Sequence, residues 1–173
     1  MRRIMIVGSG GAGKSTLALQ IGAKTGLPVF HLDQIFWMPN WAQRPEAEKL
    51  ARVAEIEAKD SWVIEGVISE TFPNRMARCD MLIWLDLPLS LRLWRVIRRT
   101  FHYRGRSRPD MPVDCVQRFD AKTMSFLKFL WQDHRAAQQR MVDSISAHGQ
   151  GVKLYHLQSL REVRAFVQGF EAL

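Results

Sequence analysis

IMIVGSGGAGKSTLALQIGAKT, residues 4–25, is the stretch whose reading decides the fold. Residues 4–7 are apolar without alternation, as expected of a strand covered on both faces. Residues 15–25 have a helical pattern, and between the two lies GSGGAGKS, which matches G-x-x-x-x-G-K-[ST] in full. Gly8, Ser9, Gly10, Gly11, Ala12 and Gly13 supply a backbone able to wrap with its N–H groups pointing inward, and the following helix points its positive end at the same place. Such a cradle suits the phosphates of a nucleoside triphosphate. Lys14 can reach the β and γ phosphates, Ser15 can ligate Mg²⁺, and Thr16 is placed for the α-phosphate. A glycine-rich turn without a ligand would need neither the lysine nor the serine.

Outward from this loop, short apolar runs alternate with helical patterns. Runs at 29–32, 62–64, 81–85 and 152–156 read as strands, and segments 45–59, 89–101 and 160–170 as helices. Five strands with intervening helices predict a three-layer α/β/α P-loop domain around a five-stranded parallel sheet. A long helix over residues 116–147 is expected to pack through Leu127, Leu130, Trp131, His134, Met141 and Ile145. No repeat, low-complexity tract or Gly/Ser/Pro-rich linker divides the chain, so residues 1–173 are read as one domain.

Composition narrows the function classes. The 173 residues are 47% hydrophobic and 24% charged, and no apolar run approaches a membrane span. The opening MRRIMIV is too short in its apolar part for a signal peptide. Cys79 and Cys115 show neither metal spacing nor a disulfide framework, which fits a reduced, cytoplasmic setting. The net charge of +8 is concentrated: RLWRVIRRTFHYRGRSR, residues 92–108, holds seven arginines and no acid, leaving about +1 for the rest. A local basic cluster is weak support for a general nucleic-acid surface, which wants an extended stripe.

The segments GSGGAGKSTLA, VFHLD, WVIEG and CDMLIWLDLP, followed by the arginine-rich stretch, resemble the adenylate and shikimate kinase group of small-molecule P-loop kinases. The order HLDQIFW, WVIEG, FHYRGRSRPDM is similar to P-loop proteins described as DNA topology modulation (FlaR-related) proteins. The resemblance implies Mg²⁺ and ATP as cofactors, and a small-molecule or nucleotide acceptor. It also implies that Asp33, ending the second strand, orients the acceptor hydroxyl or Mg²⁺, and that Glu65, ending the third, touches Mg²⁺ through water. Read from the residues alone, Asp33 serves equally as a cap of the next segment and Glu65 as a solvated strand end.

The chain also departs from that group. Nucleotide kinases carry Asp-Gly where this sequence has Glu65-Gly66, and an arginine soon after it that grips the acceptor phosphate. Here Val67, Ile68, Ser69 and Glu70 follow instead. Arg44 and Arg75 are the available substitutes. Phe36, Trp37 and Trp41, close after Asp33, could stack on a planar or sugar-like acceptor or be core. Ser159 and Glu162 form an S-x-x-E capping box ahead of the last helix, where similar kinases place a loop beside the adenine.

A helical projection of residues 89–102 gathers Leu93, Trp94, Val96, Ile97, Thr100 and Phe101 on one broad arc. Arg92, Arg95, Arg98 and Arg99 occupy the remaining roughly 120°. The arginine face is expected to meet anions and the apolar face the core. Gly105 and the prolines of YRGRSRPDMP then break the helix into a loop, so residues about 102–115 are read as an arginine-rich lid. Arg95 and Arg99 from the helix, and Arg104, Arg106 and Arg108 from the loop, are the expected phosphate ligands, with Arg135 behind them. Some of the seven serve simply as a solvated basic face, because one phosphoryl group cannot engage them all.

The function expected is therefore Mg²⁺-ATP-dependent transfer of the γ-phosphoryl to a small acceptor. The alternative is a P-loop NTPase that acts with DNA, although no helix-turn-helix or zinc module is present. A basic amphipathic helix resting on an anionic membrane ranks last, because its apolar side is assigned to the core. Neither oligomeric state nor the choice between ATP and GTP is legible.

Overall fold

The computed structural model describes residues 2–170. Strand β1 (Arg3–Gly8) is followed by helix α1 (Lys14–Thr25), β2 (Val29–His31) and a short α2 (Leu32–Phe36). A two-strand hairpin, β3 (Trp37–Met38) and β4 (Ala42–Gln43), leads to α3 (Glu46–Glu57) and β5 (Trp62–Glu65). Then come α4 (Phe72–Arg78), β6 (Met81–Leu85), α5 (Leu89–His102), α6 (Ala121–His148), β7 (Lys153–Leu157) and α7 (Leu160–Gly169). The main sheet has five strands in the order β2-β5-β1-β6-β7, all parallel.

β1 lies at the centre because its side chains are apolar on both faces. Ile4 pairs in register with Val63 on one side and Met81 on the other, and residues 4–7 are fully buried. Alternation sends Met5 and Val7 to one side, with Trp62, Ile64, Leu82, Phe72, Met76 and Met141. Ile4 and Ile6 go to the other, with Leu17, Ile21, Val63, Ile83 and Leu157. Two helical layers thus sandwich the sheet, each buried branched side chain contributing about 1.5–3 kcal/mol. The five-stranded parallel architecture agrees with the expectation, and so do most element bounds.

Sequence and structure part at four places. α6 starts at Ala121, not at 116: Gln117 and Val116 bridge to Arg104 and Ser107, and the Asp120 carboxylate caps the helix by accepting from the Thr123 N–H. The irregular arginine segment is correspondingly longer, covering 103–120. Trp131, placed on the packed side of this helix by its spacing, is exposed, whereas Leu130 and Met141 are buried. α2, the β3–β4 hairpin and α4 are too short to leave a periodic signal.

The fourth difference concerns α5. Its buried row is Arg92, Val96 and Thr100, while Trp94 and Phe101 are 54% and 56% exposed and Ile97 also faces outward. The helix turns half of its arginine arc inward because what it packs against is the phosphate loop, a polar surface. Arg98 stays outside, its guanidinium 5.3 Å from the centre of the Trp94 ring.

At the other end of the chain the expected capping box is present. Ser159 Oγ accepts from the Glu162 N–H, and the Glu162 carboxylate reaches back to the Gln158 N–H at 2.7 Å. The two cysteines are free and buried, and among the described residues no helix is long and apolar enough to cross a membrane.

Candidate functional site

The phosphate loop bends between β1 and α1 through Gly8, Gly11 and Gly13, all at positive φ. Gly13 caps α1 in the left-handed region without a side-chain cap, so the helix N-terminus is left to an outside acceptor. Gly11 has no room for any other residue. At φ 79° a Cβ there would lie 2.4 Å from the Arg92 carbonyl oxygen and 3.1 Å from Val96 Cγ2 of α5. Gly11→Ala combines left-handed strain with overpacking against backbone and is expected to cost on the order of 3 kcal/mol. Gly26→Ala, at φ 70° with nothing within 4 Å, is the control and should cost only about 1 kcal/mol. Urea unfolding of the two variants checks the difference.

α5 lies across this loop. Arg95 donates through Nη1 to the Ala12 carbonyl at 3.0 Å. Arg99 is more deeply set: burial pushes its guanidinium down to about 10, with Arg108 adding to the effect, and its Nε has no partner. Arg108, nearly buried, returns to the same place from the irregular segment. Its Nη2 is 3.8 Å from Asp33 Oδ2, and its Nε is 3.1 Å from Asp110 Oδ1 without the N–H being aimed at it.

Oxygen ligands converge opposite these cations. Ser15 Oγ is 3.0 Å from Glu65 Oε1 and 2.9 Å from Asp110 Oδ2, and Glu65 Oε1 is also 2.8 Å from His31 Nδ1. One hydroxyl proton serves only one of the two carboxylates, so this cluster is electron-rich. The hydrogen bond to Glu65 raises the His31 pKa against the opposing effect of burial. Glu65 is 2% exposed, so it is not the solvated strand end that its position allowed. Asp33 opens on the cleft with 52% of its side chain accessible, yet the protein around it raises its carboxyl pKa by desolvation, with Lys14 pulling the other way.

Two cavities meet here. The larger, about 1400 Å³, runs from Gly8–Gly10 past Asp33 to Phe36, Trp37 and Trp41, under α6. The smaller, about 860 Å³, follows residues 10–17 and continues to Leu160, Val163 and Arg164 of α7. Both are lined by Gly10, Lys14, Asp33, Arg99, Arg108 and Phe126. The Lys14 ammonium, 3.4 Å from the Ser9 carbonyl oxygen, therefore stands at their junction.

Of the residues singled out from sequence, Lys14, Ser15, Asp33, Glu65, Arg95, Arg99 and Arg108 come together with the loop; Thr16 lines the smaller cavity. Arg104 and Arg106 do not join them: both are exposed and line neither cavity. Gly105 at φ 77° and the Arg106 N–H bonded to the Tyr103 carbonyl turn that tip outward. Arg135 is also exposed and outside both cavities. Arg44 and Arg75 are not acceptor anchors either. Arg44 is spent on Glu48 and the Ile35 carbonyl, and Arg75 is fully buried among loop carbonyls.

His31 and Asp110 were missed by sequence reasoning. Asp110 stands in the RPDM segment two residues from Arg108, and that neighbourhood was its only signal. His31 precedes Leu32-Asp33 and had none.

The five-stranded parallel sheet and the glycine loop after its central strand together define a P-loop kinase-like fold. Superposition agrees: the shikimate kinase from Acinetobacter baumannii, solved in complex with shikimate, matches with a TM-score of 0.57 at 16% identity, over 97% of this chain and 89% of that one. At that identity the likeness concerns the fold. Among curated proteins, the uncharacterized protein YqaC of Bacillus subtilis (strain 168) is 28% identical over 109 residues, a match spanning 60% of each chain. No family model matches.

Proposed function

We propose that the chain is an Mg²⁺-ATP-dependent phosphotransferase that moves the γ-phosphoryl of ATP to a hydroxyl of a small acceptor. The observation that carries this reading is the junction of two cavities at Lys14, Asp33, Arg99 and Arg108. Two reactants held in line across a ring of cations is what phosphoryl transfer requires, since catalysis there is positioning and charge stabilisation. The nucleotide takes the smaller cavity, phosphates on the loop and base toward Leu160 and Val163; the acceptor takes the larger.

The acceptor oxygen forms its bond to the γ-phosphorus as the bond to the bridging oxygen of ADP breaks. Its proton passes to the Asp33 carboxylate. Lys14, Arg99 and Arg108 hold the charge that spreads over the moving group, and residues 103–120 act as the lid that excludes water. The set Ser15, Glu65 and Asp110 is made of hard oxygens and fits Mg²⁺, which binds through one or two carboxylates together with substrate phosphates. When bound, the ion would neutralise phosphate charge. We read the whole chain as a single catalytic unit, and its two free thiols fit a cytoplasmic setting.

The test is a screen of nucleotides and small hydroxylated metabolites as acceptors with labelled ATP, using Lys14→Ala as blank. Phosphorylated product absent from the whole panel, with ATP hydrolysis stimulated by DNA, would replace this reading by the second one. That reading, DNA as partner, draws on the exposed Arg98, Arg104 and Arg106 near Trp94 and Phe101. Its own mark is duplex affinity falling steeply with salt.

A further inference from the structure

The larger cavity continues beyond Asp33 along a wall that phosphate chemistry does not need. Phe36, Trp37 and Trp41 stand edge to face there, with ring centroids 4.9 and 5.5 Å apart. The turn that presents them is strained: Asn40 and Trp41 have φ of 61° and 62°, a region that a tryptophan avoids. The strain is imposed from outside the hairpin. Trp41 Nε1 donates to the Val116 carbonyl at 3.1 Å, and Cys115 Sγ donates to the Met38 carbonyl at 3.3 Å. Backbone held in such conformations concentrates at ligand sites. Here it fixes an indole before any ligand arrives.

Charge points the same way. Arg44 and Arg75 are consumed by Glu48 and by main-chain carbonyls. Arg108 faces Asp33 and Asp110, and Arg140 pairs with Asp133. Arg118 and Lys122 are exposed, and Asp114 and Asp120 line the cavity with them. Arg92 has an unpartnered Nη1, but it belongs to the β6 side of the sheet beside Asp86, three strand positions from β2. Lys49 sets its ammonium 4.4 Å from the centre of the Phe36 ring but does not line the cavity, and Lys14 and Arg99 stand at its phosphate-loop end. An acid inserted among the aromatic rings would be desolvated with no cation of the cavity wall beside it left unengaged, whereas a neutral ring would gain contact.

We propose that the acceptor is a neutral hydroxyl compound carrying a flat aromatic ring, of the nucleoside kind, and that the Phe36–Trp37–Trp41 wall disfavours nucleoside monophosphates and hydroxy-carboxylates. The inference rests on the phosphotransferase reading for its reaction but not for its binding site. The acceptor ring lies against Trp37 and its hydroxyl points toward Asp33.

Calorimetric titration of the full chain tests it, with a non-hydrolysable ATP analogue present throughout to fill the loop cavity. The probes are adenosine, guanosine, cytidine and thymidine, their 5′-monophosphates, and shikimate. At least one nucleoside should bind about tenfold or more tightly than its own monophosphate and than shikimate. Trp37→Leu should weaken that nucleoside about tenfold, as loss of a stacking ring does, in a protein that still unfolds cooperatively. Trp37→Phe, which keeps a ring at the stacking position, should lose less affinity than Trp37→Leu and serves if that variant does not fold, and the wild-type comparison needs no variant. A monophosphate or shikimate binding as tightly as the nucleosides overturns the inference, as does the absence of saturable nucleoside binding below about 10 mM. Nucleoside binding without transfer from ATP would keep this site and sink the phosphotransferase reading. Transfer to an acid would do the reverse.

Discussion

Lys14→Ala is expected to lower phosphoryl transfer by about 10³-fold or more while leaving the fold intact. The ammonium stands where the two cavities meet, half-buried, and its contact within the protein is a long one to the Ser9 carbonyl. Little native stability depends on it, so on the proposed phosphotransferase reading its loss falls on the charge that develops during transfer. A single preorganised donor at such a place is worth roughly 10²–10³ in rate, and a cation on the moving phosphoryl up to about 10⁵. Arg99→Met should behave similarly on a smaller scale, since its buried Nε has no partner within the protein. Arg104→Ala and Arg106→Ala should stay near wild type, because neither side chain reaches a cavity. Single-turnover transfer of labelled phosphate measures all four. A Lys14→Ala protein with undiminished turnover, or an Arg104→Ala protein as impaired as Arg99→Met, would remove the assigned site.

The contrast between those arginines also shows where sequence reading reaches its limit. Apolar runs such as IMIV and MLIWL, and the GKS loop between strand and helix, were legible because their physics is local: β propensity, two-sided burial and a turn only glycines can make. The Ser159–Glu162 box was legible for the same reason. The orientation of α5 was not, because sorting side chains into apolar and polar arcs assumes that the inside is apolar. Arg92 and Thr100 are buried because their polar atoms find main-chain partners, the Leu87 carbonyl for Arg92 Nε and the Val96 carbonyl for Thr100 Oγ1, while Trp94 and Phe101 face outward. Asp110 and His31 belong to the site through contacts 95 and 34 residues distant in sequence. Single residues joined by tertiary contact carry no period, which is also why Arg95, Arg99 and Arg108 could be told apart from the equally expected Arg104 and Arg106 only in three dimensions.

Arg75 is the position where the largest loss of stability is expected, although sequence placed it among possible substrate ligands. It is 0% exposed. Its Nε donates to Thr71 Oγ1 at 3.0 Å, Nη1 to the Gly66 carbonyl at 3.2 Å and Nη2 to the Ile68 carbonyl at 3.0 Å, with Glu57 Oε1 4.0 Å away. Burial lowers its pKa to about 10, so the group is still charged at neutral pH. One planar fork therefore ties together the chain just after Glu65, the turn ahead of α4 and an acid of α3. Arg75→Ala would take from the Gly66 carbonyl its guanidinium donor and from Glu57 its counter-charge, while the Ile68 carbonyl keeps the Thr71 N–H and hydroxyl, a loss of about 3–5 kcal/mol. That is a large share of the roughly 5–15 kcal/mol that holds a domain of this size. Arg75→Lys should recover only part, because one ammonium cannot span acceptors arranged for a guanidinium. The pH dependence separates the two contributions. Burial already raises the Glu57 pKa above the ordinary carboxyl value and Arg75 opposes it, so removing the arginine raises it further. A carboxyl whose folded pKa is raised favours the folded state below its unfolded pKa, and that contribution fades as pH rises through the folded one. The deficit of Arg75→Ala should therefore shrink on acidification toward the ordinary glutamate range, and adding Glu57→Gln should restore part of it at neutral pH. Urea unfolding at several pH values decides the matter: a loss under about 1 kcal/mol, or one independent of both pH and Glu57, would contradict this account.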